Sequence, residues 1–285
     1  MASRWAVLSD VHSNYYALKA VLADARRKRV DQVLFLGDAV GYGPEPHRCL
    51  PLLQKEVSAG AWVLGNHDEA LRLLHGTATG NQHEPPSEPP RPVQWQIGTR
   101  EDTWTALRKN YEILRHASAG ELVEHLAAHG SRHRVGSRVS LVHGGHRHGE
   151  PTVTPTETAL QVRDEFSFLD NEEKGIDVLL LGHTHRPTAV RQTTAETKRF
   201  EVIEIEPARI VEIEDRRWML NPGSVGQPRD GDRRASYLIL DLGLNEFELH
   251  RVEYDVHRTQ KRMEELGLHE SLIQRLDPGR RNRFG

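Results

Sequence analysis

Along the chain, short apolar runs recur and each is cut off by polar residues: WAVL before SDVH, VLFL before GDAVGYG, WVL before GNHDE, VSLV before HGGH, VLLL before GHTH and WML before NPGS. Runs of about four apolar residues without polar alternation predict strands buried on both faces, although so short a run also fits a piece of buried helix. Between the first two lies NYYALKAVLADARRKRV, where Leu18, Val21, Leu22 and Ala25 fall at helical spacing and the last turn is basic, as suits the negative end of a helix. The expected unit is β-α-β. Such units lay helices over a largely parallel sheet and gather ligands just past the carboxyl ends of its strands.

Other stretches break this rhythm. Residues 84–92, EPPSEPPRP, cannot be regular helix or central strand, because proline lacks a donor and disfavours helix in the residue before it; an exposed loop is expected. Beyond it, REDTWTALRKNYEILRHASAGELVEHLAAHG reads as two helices, the second opened by a capping box of Ser118 and Glu121. Residues 70 to about 130 are therefore expected to form a helical insertion that caps the active site of a single domain spanning 1–285. Further on, RFEVIEIEPARIVEIED and SYLILDLGLNEFELHRVEYD predict two antiparallel hairpins, turning at Pro207-Ala208 and at Gly243.

Composition narrows the function. The 285 residues, 37% hydrophobic, suffice for a substantial core. A net charge of -3 with Lys and Arg dispersed along the chain gives no basic footprint for a duplex, so stable nucleic-acid binding is not expected. No run approaches the roughly 18 apolar residues of a membrane span, and the start carries only a short apolar run; an unexported, cytoplasmic protein without membrane contact is expected. The sole cysteine, Cys49, leaves no partner for a disulfide or a sulfur-rich metal site. Any metal would be held by nitrogen and oxygen.

The strand ends supply both. The first delivers Asp10 and His12, the second Asp38, the third Asn66, His67 and Asp68, the fourth His143, and the fifth His183 and His185. In an extended segment residues two apart point to the same side, so Asp10 with His12, and His183 with His185, are expected to aim paired donors at one place. Imidazole, carboxylate and one amide oxygen suit manganese, iron, zinc or cobalt better than an all-oxygen magnesium or calcium cage. The donors also exceed what one tetrahedral site takes. Two ions about 3.5–4 Å apart, sharing a carboxylate, form the arrangement that clamps an in-line phosphoryl displacement.

DVH, GDAVGYG, GNHD, VHGG and GHTH, in this order and spacing, resemble the calcineurin-like metallophosphoesterase superfamily. NPGSVGQPRDGDRRASYLILD and the ending YDVHRTQKRMEELG look like its small bacterial branch, so the resemblance covers nearly the whole chain outside 70–130. It implies an α/β fold, a four-layer α-β-β-α sandwich of two mixed sheets, with two divalent transition-metal ions, manganese foremost and iron, zinc or cobalt as alternatives. Asp10, His12 and His185 would hold one ion, Asn66, His143 and His183 the other, with Asp38 bridging. His67 would face the leaving group and Asp68 would orient its imidazole; a supporting role for His67 is the alternative. The implied activity is hydrolysis of a small phosphoester by activated water, with His67 donating to the departing oxygen.

The motifs also depart from some relatives. Where phosphoprotein phosphatases of this superfamily carry GDxVDRG and GNHE, this chain has GDAVGYG and GNHD, so Gly41 and Tyr42 stand where an arginine would grip a monoester. That favours phosphodiesters, expected to be small nucleotide-type or related diesters, with Arg186, Arg147 or Arg229 able to substitute from other loops. Candidate substrate contacts are Asn14, Tyr42, Arg186 and Arg229, an N-cap being the other role open to Asn14. His146 and His148 could line the cleft, and Gly223 to Gly226 could present amides to phosphate. Trp95, Trp104 and Tyr111 suit packing better than base stacking, as no basic groove accompanies them. Alternative functions are a phosphomonoesterase or protein serine/threonine phosphatase, a dinucleoside polyphosphate hydrolase, and a scaffold that has lost catalysis. The sequence leaves the oligomeric state open.

Overall fold

The computed structural model describes residues 4–78, 85–117, 120–147, 150–152, 158–194, 199–214 and 216–277. Its strands are β1 (Arg4–Leu8), β2 (Gln32–Phe35), β3 (Arg132–Val135), β4 (Val139–Val142), β5 (Gly145–Arg147), β6 (Glu150–Thr152), β7 (Val178–Leu180), β8 (Pro187–Thr194), β9 (Arg199–Ile203), β10 (Ile210–Glu212), β11 (Trp218–Pro222), β12 (Ala235–Asp241) and β13 (Glu246–Val252). The helices are α1 (Tyr15–Arg27), α2 (Pro46–Glu56), α3 (Asn66–Ala78), α4 (Arg91–Ile97), α5 (Glu101–His116), α6 (Gly120–Ala127), α7 (Ala159–Asn171), α8 (Val256–Glu265) and α9 (Glu270–Arg275).

The strands form two mixed sheets, ordered β10-β13-β12-β1-β2 and β3-β4-β7-β11-β8-β9, beside a small β5-β6 pair. The lack of alternation in the apolar runs follows from their double burial. In β1, Trp5 and Val7 face the second sheet while Ala6 and Leu8 face helices; in β7, Val178 and Leu180 face the first sheet and Leu179 faces α7. Successive side chains on a strand point to opposite faces, so a strand between two layers needs apolar residues at every position. Each such side chain, fully buried, contributes roughly 1.5–3 kcal/mol. The layers run α1 with α2, α3 and α5, first sheet, second sheet, α7, which is the expected four-layer sandwich.

β1 and β2 pair in parallel across α1, the expected β-α-β unit, and β4, β7 and β11 also run parallel. The third apolar run forms no strand. It hooks onto the edge of β2, where the Phe35 amide donates to the Ala61 carbonyl and the Val63 amide to Phe35. The first expected hairpin is corrected too: β9 pairs with β8 in the second sheet and β10 with β13 in the first, so the chain around Pro207-Ala208 crosses between sheets. The second hairpin forms, β12 pairing with β13 around Gly243.

Within 70–130, α3, α5 and α6 bury Leu71, Leu74, Trp104, Leu107, Tyr111, Leu114, Val123 and Leu126 in the helical side of the core. Trp104 and Tyr111 are thus packing residues, while Trp95 is 75% exposed. Arg91 and Pro92, read as loop, instead open α4, because proline is tolerated in a helix's first turn. Ser118, of the expected capping box, lies outside the described residues, as do His148 and the RRNRFG tail.

Candidate metal centre

Apart from Asp68, the donors predicted at strand ends converge beyond the carboxyl ends of β1, β2, β4 and β7. They do not do so from extended backbone. Asp10, His12, Asp38, His183 and His185 have φ of 54°, 45°, 59°, 66° and 59°, so each ligand segment has already left its strand in left-handed turns. Non-glycine residues rarely adopt this region, and such strain collects at functional sites. The turns are locked together: the amides of Asp10, His12 and Ser13 donate to the carbonyls of Gly37, Asp38 and Ala39, extending the β1–β2 pairing into the loops. A side chain at Gly65 would strike the Asp38 carboxylate, and one at Gly41 would strike the His67 ring.

The imidazoles are fixed in orientation. Nδ1 of His12 donates to the Val40 carbonyl at 2.9 Å, that of His143 to Leu36 at 2.7 Å and that of His185 to Gln227 at 2.6 Å. A ring that donates from Nδ1 presents a lone pair at Nε2, the tautomer required of a metal ligand. Nε2 of His12 and Nε2 of His185 then lie 3.1 Å apart. Neither has a hydrogen to offer the other, so this approach is repulsive unless a cation lies against both. Asp10 Oδ1 stands 3.3 Å from His185 Nε2 and is buried with no hydrogen-bond partner among the described residues.

A second set lies alongside. Asn66 Oδ1 is 3.1 Å from His143 Nε2 and 3.0 Å from His183 Nδ1. Asn66 Nδ2 donates to the Gln96 carbonyl of α4, which turns its oxygen inward. Asp38 Oδ2 sits between the sets, 3.6 Å from His12 Nε2 and 3.4 Å from His143 Nε2. The donor atoms group as Asp10, His12 and His185; His12, Asp38 and His67; and Asp38, His143 and His183.

Electrostatics agree with a cation-seeking site. Burial pushes Asp10 up to about 6, and burial holds His12 and His185 well below the ordinary histidine value. Burial also opposes charge on His143, yet the adjacent Asp38 and Asp10 carboxylates push it up to about 10. The same carboxylate charge would favour a divalent cation at this place. The donor set, its fixed tautomers and the orphaned Asp10 oxygen fit a pair of transition-metal ions.

His67 borders this cluster, its ring 4.9 Å from that of His12 and 4.6 Å from Tyr42. Its Nδ1 is buried and has no hydrogen-bond partner among the described residues. Asp68 therefore does not orient it. The Asp68 carboxylate instead accepts the amides of Asp38, Ala39, Val40 and Gly65, clamping the loop that carries Asp38. Asn14 is likewise no substrate contact: it is 1% exposed, N-caps α1 through the Ala17 amide, and bonds Gly226, Tyr254 and Thr259. Nor do Gly223 to Gly226 offer a phosphate nest, since the amides of Gly223, Val225 and Gly226 are taken by Asn221, Ser9 and Asp10.

The family is decided by the match of a calcineurin-like phosphoesterase superfamily domain model to residues 4–244. The chain belongs to the calcineurin-like phosphoesterase superfamily. This metal-dependent phosphoesterase is 32% identical to a metallophosphoesterase from Sphaerobacter thermophilus, whose crystal structure superposes with a TM-score of 0.75 over 97% of this chain and 98% of that one. A hypothetical protein from Pyrococcus horikoshii OT3 shares the fold at 18% identity, with a TM-score of 0.69 over 96% and 97% of the two chains. An uncharacterized protein of Methanocaldococcus jannaschii is 29% identical over 275 residues, 96% of this chain and 98% of its own. No helix of the described residues is long and apolar enough to cross a membrane.

Of the other expected contacts, Tyr42 (φ 34°) lies against His12, with ring centroids 4.5 Å apart, and the Arg229 guanidinium lies 5.7 Å from the Tyr42 ring. Arg186 donates from Nε to the Arg229 carbonyl and also lines a cleft with Thr184, Leu181, Val190, Phe200 and Met219. The backbone of His146 and Arg147 lies in β5, which opens two residues after His143. Three groups that brace or border this phosphoesterase's site were not legible in the sequence. Asn110 of α5 accepts from Ser13 Oγ and the Gly41 amide and donates to the Gly43 carbonyl. Asn221 of β11 donates to Gly182 and Thr184 in the GHTH loop. Arg100 and Arg275 line a cavity with Tyr42 and Arg229.

Proposed function

We propose that this phosphoesterase hydrolyses phosphodiesters of nucleotide type at two divalent ions, manganese foremost with iron, zinc or cobalt as alternatives. Asp10, His12 and His185 would hold one ion, Asn66, His143 and His183 the other, and Asp38 would touch both. The Asp38 oxygen lying between two sets of inward-facing imidazole nitrogens is the observation that carries this reading. When bound, such ions supply an activated water and neutralise charge on the phosphoryl oxygens.

The chain's own residues do the rest. Backbone carbonyls of Val40, Leu36 and Gln227 hold three imidazoles in the ligating tautomer, and Asp68 fixes the Asp38 loop. His67 faces the leaving oxygen. Burial pushes its basicity down to about 4, so at neutral pH it is a neutral imidazole that offers an N–H to the departing alkoxide. The 70–130 insertion braces the ligand loops through Gln96 and Asn110 and forms one flank of the substrate cleft.

Diesters are favoured because Tyr42 places an aromatic ring, rather than a cation, against His12 and His67. Arg229, drawn over that ring, supports the second reading, a phosphomonoesterase whose extra cation comes from another loop. Turnover of matched nitrophenyl mono- and diesters by manganese-reconstituted protein separates the two. Preference for the diester is expected; preference for the monoester would put Arg229 in the gripping role.

A further inference from the structure

The cavity behind Tyr42 has a volume of about 550 Å³ and is lined by Tyr42, Arg100, Pro228, Arg229, Gln274 and Arg275. Its arginines come from three distant parts of the chain: the start of α5, the loop after β11, and the end of α9. One aromatic ring separates it from the ligand cluster, since Tyr42 packs against both His12 and His67. The Arg229 amide donates to the His185 carbonyl, which ties this wall to a ligand. Resting on the phosphodiesterase reading above, we propose that this cavity binds a second, non-scissile phosphate group of the substrate.

Asp102 organises the guanidiniums without neutralising them all. Its carboxylate accepts from Arg100 at 2.6 Å, lies 3.7 Å from Arg275, and is held by the Ser271 hydroxyl at 2.8 Å. Burial, together with the charges of Arg100 and Arg229, makes Arg275 easier to deprotonate than an ordinary guanidinium. An anion in the cavity relieves that repulsion. Several guanidiniums converging on one space suit a phosphate dianion, whose oxygens accept forked N–H pairs, better than a single carboxylate. The packing of α8 and α9 against Ala106 of α5 joins two of the three segments, so the cavity belongs to the folded domain.

The test uses a nitrophenyl nucleotide diester with and without a phosphate on its remaining ribose hydroxyl, and the manganese-reconstituted full chain. The wild type is expected to favour the phosphate-bearing ester about tenfold in kcat/KM, chiefly through KM. Arg275→Gln and Arg100→Gln should each bring that ratio towards one, and in the wild type the ratio should shrink as salt is raised. A wild-type ratio near one overturns the proposal, as does a ratio kept by both variants. A salt-independent ratio overturns it too, even if neither variant folds. Turnover of neither ester overturns the phosphodiesterase reading and this inference with it.

Discussion

The inner and outer parts of this site are built differently. The inner cluster is almost wholly buried and comes from short contiguous motifs, most of them just past the ends of parallel strands, with the rings of His12, His143 and His185 each fixed by a backbone carbonyl. The outer rim, Tyr42 with three arginines, is assembled by an inserted helix, a loop and a C-terminal helix that meet only in the folded chain. On the proposed function, the chemistry would sit on rigid strand ends and substrate choice on parts that are joined by tertiary packing.

If the inner cluster carries the chemistry, the largest loss should come from its shared carboxylate. Asp38→Asn is expected to lower turnover of nitrophenyl esters about a thousandfold or more, because it weakens the contact common to both donor sets. Steady-state assay at saturating manganese checks this; near-normal activity with full metal content would remove Asp38 from the bridge. Next, His67→Ala should slow esters with alkyl leaving groups by about a hundredfold or more while affecting nitrophenyl esters far less, since nitrophenolate needs little help to leave. Equal losses on both would assign His67 to support alone.

Asn110 is where the two parts touch, and it sharpens the contrast. Asn110→Ala strands the Ser13 hydroxyl, the Gly41 amide and the Gly43 carbonyl in a buried place. A loss of about 1–3 kcal/mol per unsatisfied group is expected in denaturant unfolding, with kcat reduced because Gly41 packs on His67. Unchanged stability would mean that the insertion is not a brace.

The smallest effect lies outside both parts. His129, stacked on Trp62, is pushed down to about 4 by burial and by the charge of His125. Below the ordinary histidine value of 6.5 the unfolded chain takes up a proton that the folded one refuses until about pH 4. Stability is thus full above that window and falls as pH falls through it. Melting curves of His129→Gln should lose less between about pH 7 and pH 5 than wild type does. Parallel curves would contradict the assignment.

The same contrast explains what the sequence disclosed. The clustered donors were legible because a motif such as GHTH keeps its side chains within a few residues of a strand end, whatever the rest of the fold does. Their backbone geometry was not: alternation in an extended segment suggested that His183 and His185 aim at one place, whereas left-handed turns send His185 to the Asp10 and His12 set and His183 to the Asp38 and His143 set. Asp68 adjoins His67 in sequence but turns to four amides of neighbouring loops, and β9 and β10 alternate like a hairpin while pairing in different sheets. Asn110, Arg100 and Arg275 carry no local signal, because their roles exist only once α5 and α9 pack beside Tyr42.

The most direct test of the central claim, a two-ion centre joined through Asp38, is the metal content of reconstituted protein measured beside Asp10→Asn. The account predicts two ions per chain in the wild type and loss of one in the variant, the Asp10, His12 and His185 set being the one weakened. A single ion in the wild type, or two ions held unchanged without the Asp10 carboxylate, would contradict it.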